Sequence, residues 1–173
     1  MNKVLFQLVV FLLKLISLLP FRILYLLSDI IFIFLYHIFK YRRSVVQTNL
    51  ANAFPEKSPE DRAGIEKRFY RFLADMIVES IKSISITEKE LKERYQFENL
   101  GLITKHLENG RSVIAVSGHY GNWEWGPLGI ALEWDYNILV IYKPLSDTRF
   151  DSFINKVRSR FGTIMIPMKQ TFR

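Results

Sequence analysis

The stretch that decides the fold runs from Tyr136 to Ile166 and reads YNILVIYKPLSDTRFDSFINKVRSRFGTIMI. The apolar run Tyr136–Tyr142 predicts a buried strand, because it is short and rich in β-branched and aromatic residues. Asp147 to Phe161 has the pattern of a helix, and Thr163–Ile166 predicts a further strand. A strand, a helix and a strand at this spacing form a βαβ unit, so the stretch predicts a parallel sheet.

Elements of the same kind precede this stretch. Ser112–Val116 is fully apolar and predicts a buried strand, and Gln96-Phe97-Glu98 predicts a shorter one. Between them, Gly101 to Glu108 predicts a helix that Asn109-Gly110 ends. The predicted fold class is therefore α/β, with a mostly parallel sheet flanked by helices.

Residues 1–43 are apolar and basic, with six Lys or Arg residues against one acid. We expect this segment to be a membrane anchor, since such a terminus suits an anionic membrane surface; a buried core helix is the alternative. Arg22 and Asp29 break the apolar runs and Pro20 interrupts the middle. The sequence thus predicts a kinked pair of helices that either spans the membrane or lies on it, with the basic residues 40–43 at cytoplasmic headgroups.

A second helical region follows the anchor. Ser58 predicts an N-cap, with Pro59 at the first helical position. The helix should pack one apolar face and expose a charged one. The residues of the predicted apolar face are Ile65, Phe69, Phe72, Met76, Ile77, Ser80, Ile81 and Ile84. Thr87 to Glu90 forms a capping box that begins another short helix.

Composition excludes several kinds of site. The chain has no cysteine, which excludes a disulfide scaffold, a thiol nucleophile and a cysteine-ligated metal. Of its three histidines, His37 lies in the apolar terminus and His106 in a surface-like helix, away from His119. We therefore expect no metal site. We also expect no cofactor. The basic charge lies beside apolar sequence, which favours a membrane over nucleic acid.

A titratable pair follows the predicted strand Ser112–Val116, in the stretch SGHYGNWE at residues 117–124. We expect His119 at the carboxyl end of that strand, where open α/β sheets bind ligands. Glu124 could hold one ring nitrogen and leave the other as a general base. An ordinary hydrogen bond is the alternative, and composition alone favours it. Ser117 is not framed as G-x-S-x-G, so a serine hydrolase fits poorly.

The turn itself has features of a ligand-binding loop. Gly118 and Gly121 allow a tight turn and close approach of a substrate. A helix that begins near Asn122 would point its free N–H groups at the same place.

Three ordered blocks carry a specific resemblance. They are YRRSVVQTNLANAFPEKSPEDR, SGHYGNWEWG and VIYKPLSDTRFDSFINKVRSRFG. His119-x4-Glu124 resembles the HX4(D/E) motif of glycerolipid-type acyltransferases, and the blocks together resemble the lipid A late acyltransferases of Gram-negative bacteria. The resemblance implies an enzyme at the cytoplasmic face of the inner membrane. It would move a fatty acyl chain from acyl carrier protein to a hydroxyl of a lipid A precursor, with residues 44–173 as the N-terminal part of the acyltransferase core.

The resemblance also implies roles for single residues. His119 would be the general base and Glu124 its partner. Lys143 stands where the family usually has arginine, and it lacks the planar guanidinium fork. Arg158 and Arg160 would hold a phosphate or an oxyanion, with a solvated helix face as the alternative. The expected substrate-binding residues are Lys143, Arg158, Arg160, Gly121 and Asn122.

Relatives of this kind continue well beyond the length of this chain, so we expect a fold that is incomplete at its C-terminus. Two alternatives stay open. The acceptor could be another membrane lipid, such as a glycolipid or a lysophospholipid. The chain could also be an inactive membrane-associated fragment that binds a lipid or a partner.

Overall fold

The computed structural model describes residues 2–171, which form two compact units. One unit comprises Val9–Ser85, and the other comprises Met1–Leu8 with Ile86–Arg173. In the part of the chain that is described, the first unit is helical and the second combines short helices with a small sheet. The predicted boundary at residue 43 divides a membrane anchor from an acyltransferase core, and this division by function stays a prediction.

The helices up to residue 85 are α1 (Lys3–Ser17), α2 (Phe21–Phe32), α3 (Arg43–Ala53) and α4 (Pro59–Lys82). A π-helical turn, Ile33–Ile38, continues α2. Pro20 separates α1 from α2 with an extended backbone, which confirms the predicted kinked pair of helices. The helical segment Phe21–Ile38 is long and apolar enough to cross a membrane.

The core of this unit lies between α2 and α4. Phe32, Tyr70 and Ala74 are buried together. Partly buried apolar residues surround them, namely Ile31, Leu35, Tyr36, Val46 and Leu73.

Helix α4 begins as predicted, since Ser58 Oγ accepts a 3.1 Å hydrogen bond from the Asp61 backbone N–H. Its predicted packed face was wrong in part. Phe69 and Phe72 are 40% and 41% exposed. Met76 is buried as predicted. The other buried residues form a line that the prediction missed, namely Glu66, Tyr70, Ala74, Val78 and Lys82. Apolar periodicity misses this line because its charged members are buried with partners, as in the Arg43–Glu66 ion pair.

The elements after residue 85 are α5 (Glu88–Arg94), α6 (Gly101–Glu108), α7 (Trp125–Ile130), β1 (Leu139–Tyr142), α8 (Thr148–Arg158), β2 (Ile164–Pro167) and a 3-10 turn (Met168–Gln170). The capping box that begins α5 is confirmed, with Thr87 and Glu90 bound to each other's backbone N–H groups. Helix α6 has the predicted bounds.

Strands β1 and β2 pair in parallel, with Leu139 opposite Ile164 and Tyr142 opposite Pro167. Helix α8 connects them, so the predicted βαβ unit is confirmed.

Two other predicted strands do not form among residues 2–171. Gln96–Glu98 is irregular, and Ser112–Val116 pairs with no strand, with Ile114 and Val116 90% and 92% exposed. A fully apolar strand is stable where neighbours cover both of its faces. The small sheet offers little cover, because Leu139 is itself 60% exposed. The fold is therefore mostly helical with a two-stranded parallel sheet.

Candidate active site

His119 lies in an exposed loop that spans residues 111–120 and leads towards α7. Its imidazole makes an edge contact with the Trp123 ring, with 4.7 Å between ring centroids. Among residues 2–171, neither ring nitrogen of His119 has a hydrogen-bond partner. Both nitrogens are therefore open to a substrate that approaches from solvent.

Glu124 is bound to Arg158 in this structure rather than to His119. Arg158 Nε donates to Glu124 Oε2 at 2.9 Å, and Arg158 Nη2 donates to Glu124 Oε1 at 2.6 Å. Both side chains are about a quarter exposed. This bidentate pair joins the start of α7 to the end of α8.

Gly121 and Asn122 form the turn between His119 and α7. Gly121 has a φ of +59°, a left-handed conformation that favours glycine, and Asn122 is partly buried. Helix α7 begins at Trp125, three residues later than Asn122. The Trp125 N–H donates to the Asn122 carbonyl at 3.1 Å, so the turn runs directly into the helix.

Helix α7 is fixed by packing on its far side. Trp125 and Leu128 are buried. Gly129 allows close approach of an aromatic ring, since a Cβ there would lie 3.0 Å from Phe97 Cε2. Thr163 Oγ1, just before β2, donates to the Pro127 carbonyl at 2.9 Å. These contacts place α7 beside the amino end of β2.

The predicted basic residues do not form one cluster. Lys143 follows the carboxyl end of β1 and is exposed. Arg158 lies at the far end of α8, whose 11 residues carry the chain about 15 Å back towards the amino edge of the sheet. The structure thus brings Arg158 to Glu124 and leaves Lys143 at the opposite edge.

Arg160 is turned towards the protein. Its Nη2 donates to the Ile86 carbonyl at 2.9 Å, and its guanidinium lies 5.0 Å from the centre of the Phe161 ring. Burial lowers the pKa of Arg160 from its ordinary value. Because Arg160 already has a carbonyl partner, its geometry suits support of the chain better than capture of a phosphate.

An open cavity of about 210 Å³ lies between residues 131–137 and the pair Phe161-Gly162. These residues precede β1 and β2, so the cavity lies at the amino edge of the sheet. The predicted site residues are not among those that line it. Within residues 2–171, no group of three or more acidic, His or Cys side chains could hold a metal ion.

The sequence matches the bacterial lipid A biosynthesis acyltransferases over residues 1–173. The chain belongs to this family. A lipid A biosynthesis acyltransferase from Haemophilus influenzae is 27% identical to this chain over 155 residues. The matched residues cover 88% of this chain and 48% of the Haemophilus influenzae protein. The chain therefore spans about half the length of that curated relative. No solved structure matches this chain.

For this member of the lipid A acyltransferase family, sequence reasoning missed two features of the site. It assigned Arg158 to substrate and did not pair it with Glu124, because 34 residues separate them. It also missed the packing of Phe97 against Gly129. The opposite charges of two motif blocks were a signal for the first feature, while only tertiary packing shows the second.

Proposed function

We propose that this protein transfers a fatty acyl chain from acyl carrier protein to a hydroxyl of a lipid A precursor. The observation that carries the proposal is the family match over residues 1–173. We propose that the reaction takes place at the cytoplasmic face of the bacterial inner membrane, and the apolar, basic segment 1–43 supports this location. No cofactor is needed, because the activated thioester supplies the driving force.

In the proposed reaction His119 is the general base. A ring nitrogen takes the proton of the acceptor hydroxyl while the oxygen attacks the thioester carbonyl carbon. The carbon–sulfur bond then breaks, an ester forms, and the proton leaves His119 with the thiol of the carrier. The exposure of the imidazole, which contacts only the edge of the Trp123 ring among the aromatic residues described, supports this role.

Glu124 is proposed to orient His119 when substrate is bound. Two observations make this compatible with its bonds to Arg158. Each carboxylate oxygen has a second lone pair after it accepts one guanidinium N–H. The exposed loop that carries His119 can also adjust, and catalytic hydrogen bonds often tighten only in the substrate complex.

The substrate-binding roles of Lys143, Arg158, Arg160, Gly121 and Asn122 stay proposals of different strength. Lys143 is supported best, since it is exposed and has no ion pair among residues 2–171. Arg158 is proposed to hold Glu124 in place, with its remaining nitrogen, Nη1, directed to substrate oxygen. Gly121 and Asn122 shape the turn beside His119.

The test is an acyl-transfer assay with acyl carrier protein charged with defined fatty acids and a lipid A precursor as acceptor. Loss of a general base lowers rates by about 10²–10⁴-fold, and we expect His119→Ala to show a loss of this size. His106→Ala, on α6, is the matched control and should keep the wild-type rate. Equal rates for wild type and His119→Ala would refute the assignment of the base.

A second candidate is a membrane-associated protein that binds lipid or carrier without transfer. The unpaired segment Ser112–Val116 favours it, because the strand expected to present His119 does not form. Binding of acyl carrier protein with no product would support this candidate. If product forms, mass spectrometry of lipids from a deletion strain distinguishes a lipid A precursor from a glycolipid or a lysophospholipid.

A further inference from the structure

The segment Phe21–Ile38 presents apolar residues on two opposite sides. One side is packed inside the unit Val9–Ser85, where Leu24 and Phe32 are buried. The opposite side is exposed, and its residues are Ile23, Leu26, Ile30, Ile33 and Phe34, each between 41% and 60% exposed. A continuous exposed apolar side of this kind is unusual on a surface that faces water, so a lipid phase is expected against it.

The packed side is joined to α4 by polar side chains. Tyr25 donates to Glu79 Oε1 at 2.8 Å, and Arg71 Nη1 donates to Asp29 Oδ1 at 2.7 Å. Ser28 also donates to Asp75. From Tyr25 to Asp29 the residue numbers rise along α2, while the residue numbers of their α4 partners fall from 79 to 71. The two helices therefore lie antiparallel and side by side over this length.

Helix α4 is unsuited to the interior of a bilayer. Ten of its 24 residues are charged. Asp29 is near the middle of the segment Phe21–Ile38, and the side chains of Asp29 and Arg71 are 53% and 57% exposed. If the segment spanned a membrane, this half-exposed ion pair would lie at mid-depth and α4 would be drawn in with it. Charged side chains are costly at that depth.

We infer that Phe21–Ile38 lies in the plane of one leaflet and does not cross the membrane. Its exposed apolar side enters the acyl region to a depth of about 5–10 Å, while α4 stays on the aqueous side. The exposed basic residues Arg22, Lys40 and Arg42 lie near the two ends of the segment and match anionic phospholipid headgroups. The inference rests on the proposed membrane attachment, and it is independent of acyl transfer.

The first experiment compares the two ends of the segment. The chain has no cysteine, so Leu18→Cys and Phe39→Cys each give a single labelling site. Both positions are exposed, at 69% and 70%, and they lie just outside the two ends. The variants of the full chain are treated with a membrane-impermeant maleimide in spheroplasts and in inverted inner-membrane vesicles, with a permeant maleimide to measure total thiol.

An in-plane segment predicts that both cysteines react in the same preparation and that neither reacts in the other. Reaction of the two cysteines in opposite preparations would show a crossing and overturn the inference. Labelling in both preparations, together with failure to co-sediment with membranes, would overturn both the inference and the membrane attachment.

The second experiment measures depth. Leu26→Cys and Ile30→Cys are labelled with a fluorescent probe in vesicles of phosphatidylethanolamine and phosphatidylglycerol, and lipids brominated near to or far from the headgroup serve as quenchers. We expect the shallow bromines to quench both probes more strongly and to similar extents. Stronger quenching of both probes by the deep bromines would contradict the in-plane position.

Asn52→Cys, on the exposed surface of α3, is the aqueous control and should not be quenched. Repeating the labelling with His119→Ala separates this inference from the proposed reaction. That variant should give the wild-type labelling pattern although it lacks acyl transfer. If the wild-type chain labels as predicted but transfers no acyl chain, the proposed reaction is contradicted and the in-plane position is not.

Discussion

At the scale of single residues, the important feature of the site is that Glu124 forms an ion pair with Arg158 and not a hydrogen bond with His119. A guanidinium offers two parallel N–H groups to the two carboxylate oxygens, and Arg158 uses both of them. A neutral imidazole offers one N–H, so it does not displace such a pair in the absence of substrate. The geometry thus explains why Glu124 is held between α7 and α8 by Arg158 and makes no hydrogen bond to His119.

A double-mutant cycle should measure this pair. We expect Glu124→Gln and Arg158→Gln each to lower the free energy of unfolding, and the double variant to lose less than the sum. The coupling should be about 1 kcal/mol, because the pair is bidentate but partly exposed. Urea denaturation in mild detergent measures it. Strict additivity of the two losses would show that the ion pair contributes nothing.

At the scale of elements, α8 is held at its start by its own acidic residues. Asp147 accepts hydrogen bonds from the backbone N–H groups of Arg149 and Phe150. Asp151 accepts from the Leu145 N–H at 2.8 Å and from the Tyr142 hydroxyl at 3.3 Å, which closes the loop after β1. The connection that carries Lys143 is therefore ordered by these two carboxylates.

The hydrogen bond from the Phe150 N–H lowers the pKa of Asp147, and the bonds and charge of Arg149 add to the effect. A lowered pKa in the folded state stabilises the fold above the unfolded-state value of about 3.9, and this stability is lost as the pH falls through the folded-state value. Between pH 6 and pH 3, we expect the midpoint of urea denaturation to fall less in Asp147→Asn than in the wild type. Asparagine can also cap the helix, but its side chain does not titrate. Equal drops in wild type and variant would contradict this.

At the scale of the whole molecule, stability is unevenly distributed. Buried residues concentrate between α2 and α4 and around α7, whereas residues 111–120 are exposed throughout and make no strand pairing. Segments with few buried contacts open first. The loop that carries His119 therefore belongs to the less tightly packed part of the second unit, and this supports the proposed orientation of His119 by Glu124.

Limited proteolysis should detect this difference. Tyr120 is 93% exposed in the loop, while Tyr70 is fully buried in α4. We expect chymotrypsin to cut after Tyr120 well before it cuts after Tyr70, because proteases act on locally open chain. Mass spectrometry of the fragments over time measures the order. Early cutting at Tyr70 with Tyr120 intact would show that the loop is protected.

The sequence by itself determined the helix caps, the strand–helix–strand unit and the family. Caps such as Ser58, Thr87 and Asp147 act within a few residues, and the strand–helix–strand pattern of residues 136–166 follows from local periodicity, so both were predictable. Tertiary structure alone decided which face of α4 is buried, that Ser112–Val116 stays unpaired, and that Glu124 binds Arg158. The physical reason is that burial and pairing depend on neighbours distant in sequence, whose positions no local pattern specifies.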